Sequence, residues 1–531
     1  MMRKAESVKY QYRMHEIRLN PDEPKDRLPD KIRKKLGRAG RGLKISELKI
    51  RRESIDARHK DRIRMVYTVD FAADRELKLQ KAPDLTYHRA VPGDRPLAHR
   101  PVVVGMGPCG MFAALVLAQQ GYCPLVIERG APVEERVKDV QKFWKEGILD
   151  PESNVQFGEG GAGTFSDGKL TTGIKDPRIH FMLEEFVKAG ADPEILYAHM
   201  PHIGTDVLRV CVRNIRKQIQ SLGGEIRFHT RLEKLILKDT DAGCRVAGLL
   251  VSEAGKETVI EAEQVVLALG HSARDTFRAL HQQAVPMEQK AFSIGVRIEH
   301  PQDVIDRAQY GDTGKNLGLP PAVYKLNWKA GNGRGVYTFC MCPGGEVITA
   351  SSQKGGVVTN GMSRHGRDSG TANSALLVDV RTDDFPDADD PLSGIDFQEK
   401  YERLSFVNGG SNYTAPKTTW GEFRDRRESA EPVLNSLPEF AAASIQEAVP
   451  QFGRKLKGFD SDDAVMTAVE SRSSSPVRIL RDRDQQCISV RGLYPGGEGA
   501  GYAGGITSSA CDGMKIAEQI IKSFSPCKEN S

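Results

Sequence analysis

The chain has 531 residues, 39% hydrophobic and 28% charged, a globular composition with room for two or three domains. No apolar run approaches a membrane span, and the charged start MMRKAESVKYQYRMHEIRL lacks the apolar core of a secretory signal, so a cytoplasmic protein with no membrane partner is expected. Nine cysteines (109, 123, 211, 244, 340, 342, 487, 511 and 527), odd in number and without a CxxC pair, argue against a disulfide framework, a thioredoxin-type redox motif and a metal site.

Charge is uneven along the chain. Residues 1–65 carry 21 Lys and Arg against 10 Asp and Glu, a net of +11 that leaves −6 for the remainder. Residues 1–72 read as a small basic α+β module in the order β-α-β-β. A strand is expected over 12–19, a helix over 26–36 with Leu28, Ile32 and Leu36 at helical spacing, a second strand region over 45–58, and an alternating strand over 62–71. The basic stretches 31–41 and 51–60 offer either a docking surface for nucleic acid or an acidic protein, or an ordinary solvated face. No RNA-binding aromatic signature accompanies them. Residues 73–100, punctuated by Pro83, Pro92 and Pro96, read as an extended linker.

Residues 101–130 then read as one unit of strand, glycine turn, helix, strand and acid. Val102, Val103 and Val104 form a short buried strand. Gly105-Met106-Gly107-Pro108-Cys109-Gly110 fits G-x-G-x-x-G, an apolar helix runs from Met111 to about Gln119, and Leu125, Val126 and Ile127 lead into Glu128. Gly105 permits the turn, Gly107 lets a pyrophosphate approach the backbone, and Gly110 lets the helix pack on the sheet. The helix N-terminus offers free N–H groups to phosphate. An acid at 128 suits ribose hydroxyls and favours FAD or NAD over NADP.

A helix follows over 133–146. Glycines 158, 160, 161 and 163 then form a loop whose backbone comes close to something, with Thr164, Ser166 and Lys169 as donors, and it reads as a second wall of the cofactor pocket. Helices are expected over 176–189 and 205–222. A strand is expected over 225–230, with 231–237 continuing the same sheet, then a hairpin over 246–251 and 257–262. The buried strand 264–269 ends in a Gly270-His271 turn suited to a return to the cofactor.

Residues 285–460 change character. Short strands at 292–299, 323–326, 335–341 and 347–351 alternate with Gly, Pro and Asn turns, which reads as an inserted β-rich substrate domain. An exposed acidic loop over 383–390 and a helix over 432–449 belong to it. Residues 461–531 close the first domain: Leu493-Tyr494-Pro495-Gly496-Gly497-Glu498 is strand end and glycine turn, and a helix follows over 507–521. Glu498 suits a ribityl hydroxyl, and the Gly504 and Gly505 amides suit a flavin edge.

The stretches GMGPCGMFAALVLAQQG, GEGGAGTFSDGKLTTGIKDPRI, TFCMCPGGEVI, TNGMSRHGRDSGTANSALLV, AVESRSSSPVRI and GLYPGGEGAGYAGGITSSACDG resemble the uncharacterised bacterial FAD-dependent protein or NAD(P)/FAD-dependent dehydrogenase family, within the glutathione-reductase-like superfamily. The resemblance implies an α/β fold. A Rossmann-like FAD-binding core (101–284 and 461–531) would carry the β-rich insertion (285–460) and the N-terminal module. Glu498 stands where that superfamily usually has Asp. The cofactor candidates are Gly105, Gly107, Pro108, Cys109, Gly110, Glu128, Arg129, Gly160, Gly161, Thr164, Lys169, Leu232, Gly270, Gly497, Glu498, Gly504, Gly505 and Ile506. No catalytic triad is present, and a flavin needs none. Cys340 and Cys342, two apart on one strand, are catalytic candidates, with the alternative of buried structural cysteines. His365, Arg367 and Arg472 are candidates for the active-site cavity. The expected function is an FAD-dependent oxidoreductase passing hydride between the flavin and an unidentified small molecule, with NAD(P)H as a candidate transient reductant. A nucleic-acid-associated flavoprotein and a non-catalytic FAD-binding protein are the alternatives.

Overall fold

The computed structural model describes residues 10–241, 243–253 and 255–526. Cys527 and the first nine residues of the basic module lie outside them. Among the described residues no helix is long and apolar enough to cross a membrane.

The N-terminal module is a three-stranded antiparallel sheet. Arg64–Ala73 lies between Tyr10–Leu19 and Ile45–Asp56. The alternation read over 62–71 is the reason for its central place: Tyr67, Val69 and Phe71 point into a core with Tyr12 and Met14. The helix Leu28–Lys35 closes that core with Leu28 and Ile32, four apart on one face. Many of the module's cations are paired. Arg13 and Arg51 share Asp70, Lys25 meets Glu53 at 2.7 Å, and Lys31 meets Glu23 at 2.8 Å.

The next layer is a five-stranded parallel sheet in the order Leu493–Pro495, Val265–Leu267, Val102–Val104, Leu125–Ile127, Glu225–Arg227. Four of these short strands are buried at every residue, as expected for a sheet covered on both faces. Val103, Val126 and Val266 face the helix Pro108–Gln119; their neighbours Val102, Val104, Leu125 and Leu267 face the opposite side. That helix is apolar all round because Ile506–Ser523 and Thr205–Ser221 pack on it, and every residue from Cys109 to Ala118 is buried. Two glycines permit the packing. A Cβ on Gly110 would stand 1.9 Å from the Gly105 carbonyl oxygen, and one on Gly513 2.0 Å from that of Cys109.

The expected continuation of this sheet through 231–237 is not what forms. Thr230–Thr240 instead begins a separate antiparallel meander with Gly243–Glu253 and Lys256–Glu261. The cause is local: His229 takes a left-handed conformation (φ 51°), which ends the parallel strand and turns the chain.

The β-rich layer is a six-stranded antiparallel sheet in the order Asn327–Lys329, Gly335–Cys342, Thr371–Val380, Phe292–Pro301, Val465–Glu470, Lys417–Thr419. Val465–Glu470, expected beyond the boundary at 460, pairs inside this sheet. Residues 323–326 form no strand; pairing begins at Asn327. The single helix expected over 432–449 is two, Glu431–Leu434 and Glu439–Lys455, because Pro438 caps the second. Glu439–Lys455 and Trp420 cover one face of the sheet in a core with Ile294, Val296 and Leu376.

Candidate functional site

The C-terminal ends of the parallel strands open into a cleft of about 470 Å³, roofed by the β-rich layer. Among the described residues, the basic module contributes none to its lining. At one end the cleft is made of backbone. The helix Pro108–Gln119 starts at Gly107 and the helix Ile506–Ser523 at Gly505, both without a side-chain cap, so their first N–H groups and partial positive charges face it. Three glycines here are not required by the protein itself. Gly107 has φ −73° and an added Cβ would meet only the Gly161 Cα, at 3.8 Å; Gly270 and Gly504 have no positive φ and nothing within 4 Å. All three line the cleft. A Cβ at any of them would fill only the cleft, so the space they leave fits a ligand that lies against the main chain. Gly105 is different, since its φ of 98° and the Ala268 carbonyl oxygen 2.6 Å from an added Cβ demand glycine.

Glu128 ends its strand on the cleft wall. Its carboxylate accepts from the amides of Met106 (2.8 Å), Gly130 (2.9 Å) and Gly158 (3.0 Å), which occupies three of about four lone-pair sites. It therefore ties the glycine turn to the 158 loop as well as facing the cleft. The loop itself is organised by Arg136, fully buried, whose guanidinium reaches the carbonyls of Asn154, Val155, Gly158, Glu159 and Gly161. Burial pulls its pKa down to about 9, so it stays a cation at neutral pH. Arg129 lies over Phe157 and is held by Glu152 and Asp275.

The rest of the wall is backed by buried charge, of which Asp167, Arg367, Glu470 and Arg472 reach the lining. Glu402 sits between two guanidiniums: Arg274 at 2.7 and 2.8 Å, and Arg472 at 3.0 and 2.7 Å. Burial opposes the Glu402 charge, yet Arg274 and Arg472 hold its carboxyl far below the usual range. Arg472 continues to the hydroxyls of Ser272 and Ser352. Arg297, fully buried, grips Glu470, Asn360, Asn373 and the Cys340 carbonyl. Asp167 takes Arg367 at 2.9 Å and the Ser363 hydroxyl; burial alone would raise it, but Arg367 and Lys169 outweigh that and keep it ionised. The His271 Nδ1 lies 3.3 Å from Glu498 without hydrogen-bond alignment, and neither buried ring nitrogen has a hydrogen-bond partner. An orphaned imidazole on the wall is a second sign that the cleft fits a polar ligand.

One cleft thus gathers most of the residues singled out from sequence. Gly105, Gly107, Pro108, Cys109, Glu128, Arg129, Gly161, Lys169, Leu232, Gly270, Glu498, Gly504, Gly505 and Ile506 line it, as do Cys340, Cys342, Arg367 and Arg472. Gly110, Gly160, Thr164 and Gly497 do not. Gly160 donates to the Met106 carbonyl, Thr164 is fully buried with its hydroxyl on the Glu159 carbonyl, and Gly497 donates to Asp512. These four hold the walls rather than form their surface. The Gly504 amide is likewise bonded to the Ser508 hydroxyl, which leaves less for a flavin edge than its position implies. His365 is also off the cleft. Its Nδ1 meets the Ile203 carbonyl, and its ring stacks on His202 at 5.5 Å. Cys340 and Cys342 share the lining, but a bulge between Phe339 and Cys342 and a left-handed Cys340 (φ 41°) break strict alternation there. Cys340 is exposed to the cleft whereas Cys342 is buried, and burial raises the Cys342 thiol. Sequence reasoning missed Arg136, Arg274, Arg297, Glu402 and Glu470. Glu470, two residues before Arg472, and Asp167, likewise not singled out and inside the glycine stretch, lay where a local signal could have found them.

Residues 291–473 match the family described as FAD-dependent protein, C-terminal domain-like, and residues 11–72 match a domain of unknown function (DUF8436). An uncharacterized protein of Clostridium beijerinckii is 45% identical over 537 residues, spanning 96% of this chain and 99% of that one. Among solved structures, THI4 of Thermovibrio ammonificans shares 18% identity at a TM-score of 0.24, over 36% of this chain and 66% of its own. A geranylgeranyl bacteriochlorophyll reductase-like protein of Thermoplasma acidophilum shares 12% at 0.35, over 80% and 78%. Scores of that size carry no weight for activity.

Proposed function

We propose that this protein, which belongs to the same family as the Clostridium beijerinckii protein and matches the FAD-dependent C-terminal domain over residues 291–473, is an FAD-dependent oxidoreductase acting on a small molecule. The observation that carries the reading is the set of glycines 107, 270 and 504. They line one cleft beyond the ends of three adjacent parallel strands, and neither backbone strain nor packing calls for glycine at any of them. A long ligand lying against the main chain accounts for all three, and FAD is such a ligand.

In this reading the two uncapped helix N-termini take phosphate, and the free lone pair of Glu128 takes a ribose hydroxyl. Arg136 and Glu128 hold the wall in shape for both. Bound there, FAD would supply the hydride acceptor and donor that no side chain of the cleft provides. The chain's part is to enclose the site under the β-rich layer and to place fixed charge beside it. Arg472, bonded to the Ser272 and Ser352 hydroxyls, places a guanidinium on the lining, which suits an electron-rich ring. NAD(P)H as a transient reductant stays part of the proposal, with its approach through the open side of the same cleft.

The test is the absorption spectrum of the purified protein and of the supernatant after denaturation, followed by anaerobic titration with NADH and NADPH. Stoichiometric FAD in the supernatant supports the reading. A colourless protein that takes up no added FAD sinks it.

A further inference from the structure

The polar groups that face the cleft from the β-rich layer are almost all engaged, and what is left over is donor. The Asp167 carboxylate is occupied by Arg367 and Ser363, Glu470 by Arg297, and the Asn360 carbonyl oxygen by Arg297 and the Gly361 amide. On the donor side, among the described residues Lys169 has no ion pair or hydrogen bond through its ammonium, although it is half-buried and lines the cleft. The Nε–H of Arg367 and the hydroxyl of Thr359 are buried on the same lining without a partner. Arg367 meets Asp167 at 2.9 Å, Lys169 stands two residues after Asp167 on the same loop, and all three line the cleft, so the two cations flank one spot. Two cations against one carboxylate leave that spot one positive charge in excess. An unpaired half-buried ammonium beside an unpaired buried N–H is costly unless something arrives to accept from them.

We propose that Lys169, with the free Nε–H of Arg367, binds an oxyanion of the substrate, a carboxylate or a phosphate ester. The inference rests on the cleft being the reaction site of a flavoenzyme and narrows its substrate to an acid. It reassigns Lys169 from the cofactor to the substrate, because Lys169 lies two residues from Asp167, which Arg367 and Ser363 of the β-rich layer hold. The loop that carries Lys169 is anchored on both sides. Its main chain pairs with His202, and the Leu170 carbonyl accepts from Thr507 at the start of the last helix.

The experiment is calorimetric titration of the purified holoprotein with benzoate, inorganic phosphate and neutral benzamide, with the flavin spectrum read in the same samples. Benzoate or phosphate should saturate while benzamide does not, and which of the two binds tells carboxylate from phosphate. Lys169→Met should weaken the anion by about tenfold or more, the loss of a charge-assisted hydrogen bond, at unchanged flavin content. Lys169→Arg should restore most of it. Equal binding of benzamide and benzoate overturns the proposal without any variant. So does unchanged anion affinity in Lys169→Met, and so does loss of flavin from that variant, which would return Lys169 to the cofactor. A preparation that takes up no flavin refutes the flavoenzyme reading by its spectrum alone, while calorimetry still reports whether the anion binds, so the two failures are read separately.

Discussion

The two ends of the cleft are built from opposite materials. One is main chain with side chains left out: glycines 107, 270 and 504 and two bare helix starts. The other is side chain: Arg472 and Glu470 on the lining, backed by the fully buried guanidiniums of Arg274 and Arg297, which are locked on Glu402 of a helix and Glu470 of a strand. Backbone recognition suits a ligand that never changes, because N–H groups cannot be retuned by substitution. Side-chain recognition suits the part that differs from one substrate to another.

The largest expected effect tests the charged end. Glu402→Gln leaves Arg274 and Arg472 facing each other without their shared carboxylate, and should cost about 3–5 kcal/mol in urea unfolding. A loss below about 1 kcal/mol would mean that the network is not what holds this end together.

Next comes acid. Burial, followed by the Arg367 guanidinium, pulls the His202 pKa down to about 4, against about 6.5 when unfolded. The unfolded chain then binds the proton first. Stability from this residue is complete above pH 6.5 and is lost as pH falls from there through 4, by about 3 kcal/mol in all. Unfolding measured across that range should be flatter in His202→Gln than in the parent by that amount. Parallel curves would show that His202 is not shielded.

Gly107→Ala probes the backbone end. It should raise the FAD dissociation constant about tenfold, or about 1.4 kcal/mol, while the unfolding free energy moves by less than about 0.5 kcal/mol. A fall in stability instead of affinity would make this glycine structural and erase the contrast with Gly105.

The smallest effect lies outside both ends. Lys25 pairs with Glu53 and sits 5.0 Å from the Tyr197 ring, joining the basic module to the core at the surface, and Lys25→Ala should cost under about 1 kcal/mol and leave flavin content unchanged.

The same contrast explains what could be read from sequence. Backbone recognition leaves glycine in place of everything else, at short fixed spacings after apolar runs, so the turn at 105–110 and the loop at 158–163 are visible as letters. The charged end has no such signature. Arg297 and Glu470 are 173 positions apart, and Arg274 and Glu402 are 128 apart, so nothing local marks either as a pair. Each alone reads as an ordinary surface charge. Of the candidates in the motif NGMSRHGRDSG, Arg367 reaches the cleft and His365 turns to the Ile203 carbonyl. Strand identity was legible where alternation was strong. The sheet to which 230–240 belongs was not, since one left-handed residue at His229 decided it.

The order of the parallel sheet carries one more consequence. Its edge strand Leu493–Pro495 pairs with Val265–Leu267, and the whole β-rich layer lies between them in the chain. At the usual pace of translation, the partner is missing for on the order of tens of seconds. Through that interval the helix Pro108–Gln119, apolar on every side, also waits for Ile506–Ser523 to cover it. This layer is therefore finished only when the last helix has been made, and until then, of the two covering helices, Thr205–Ser221 alone lies on the apolar one.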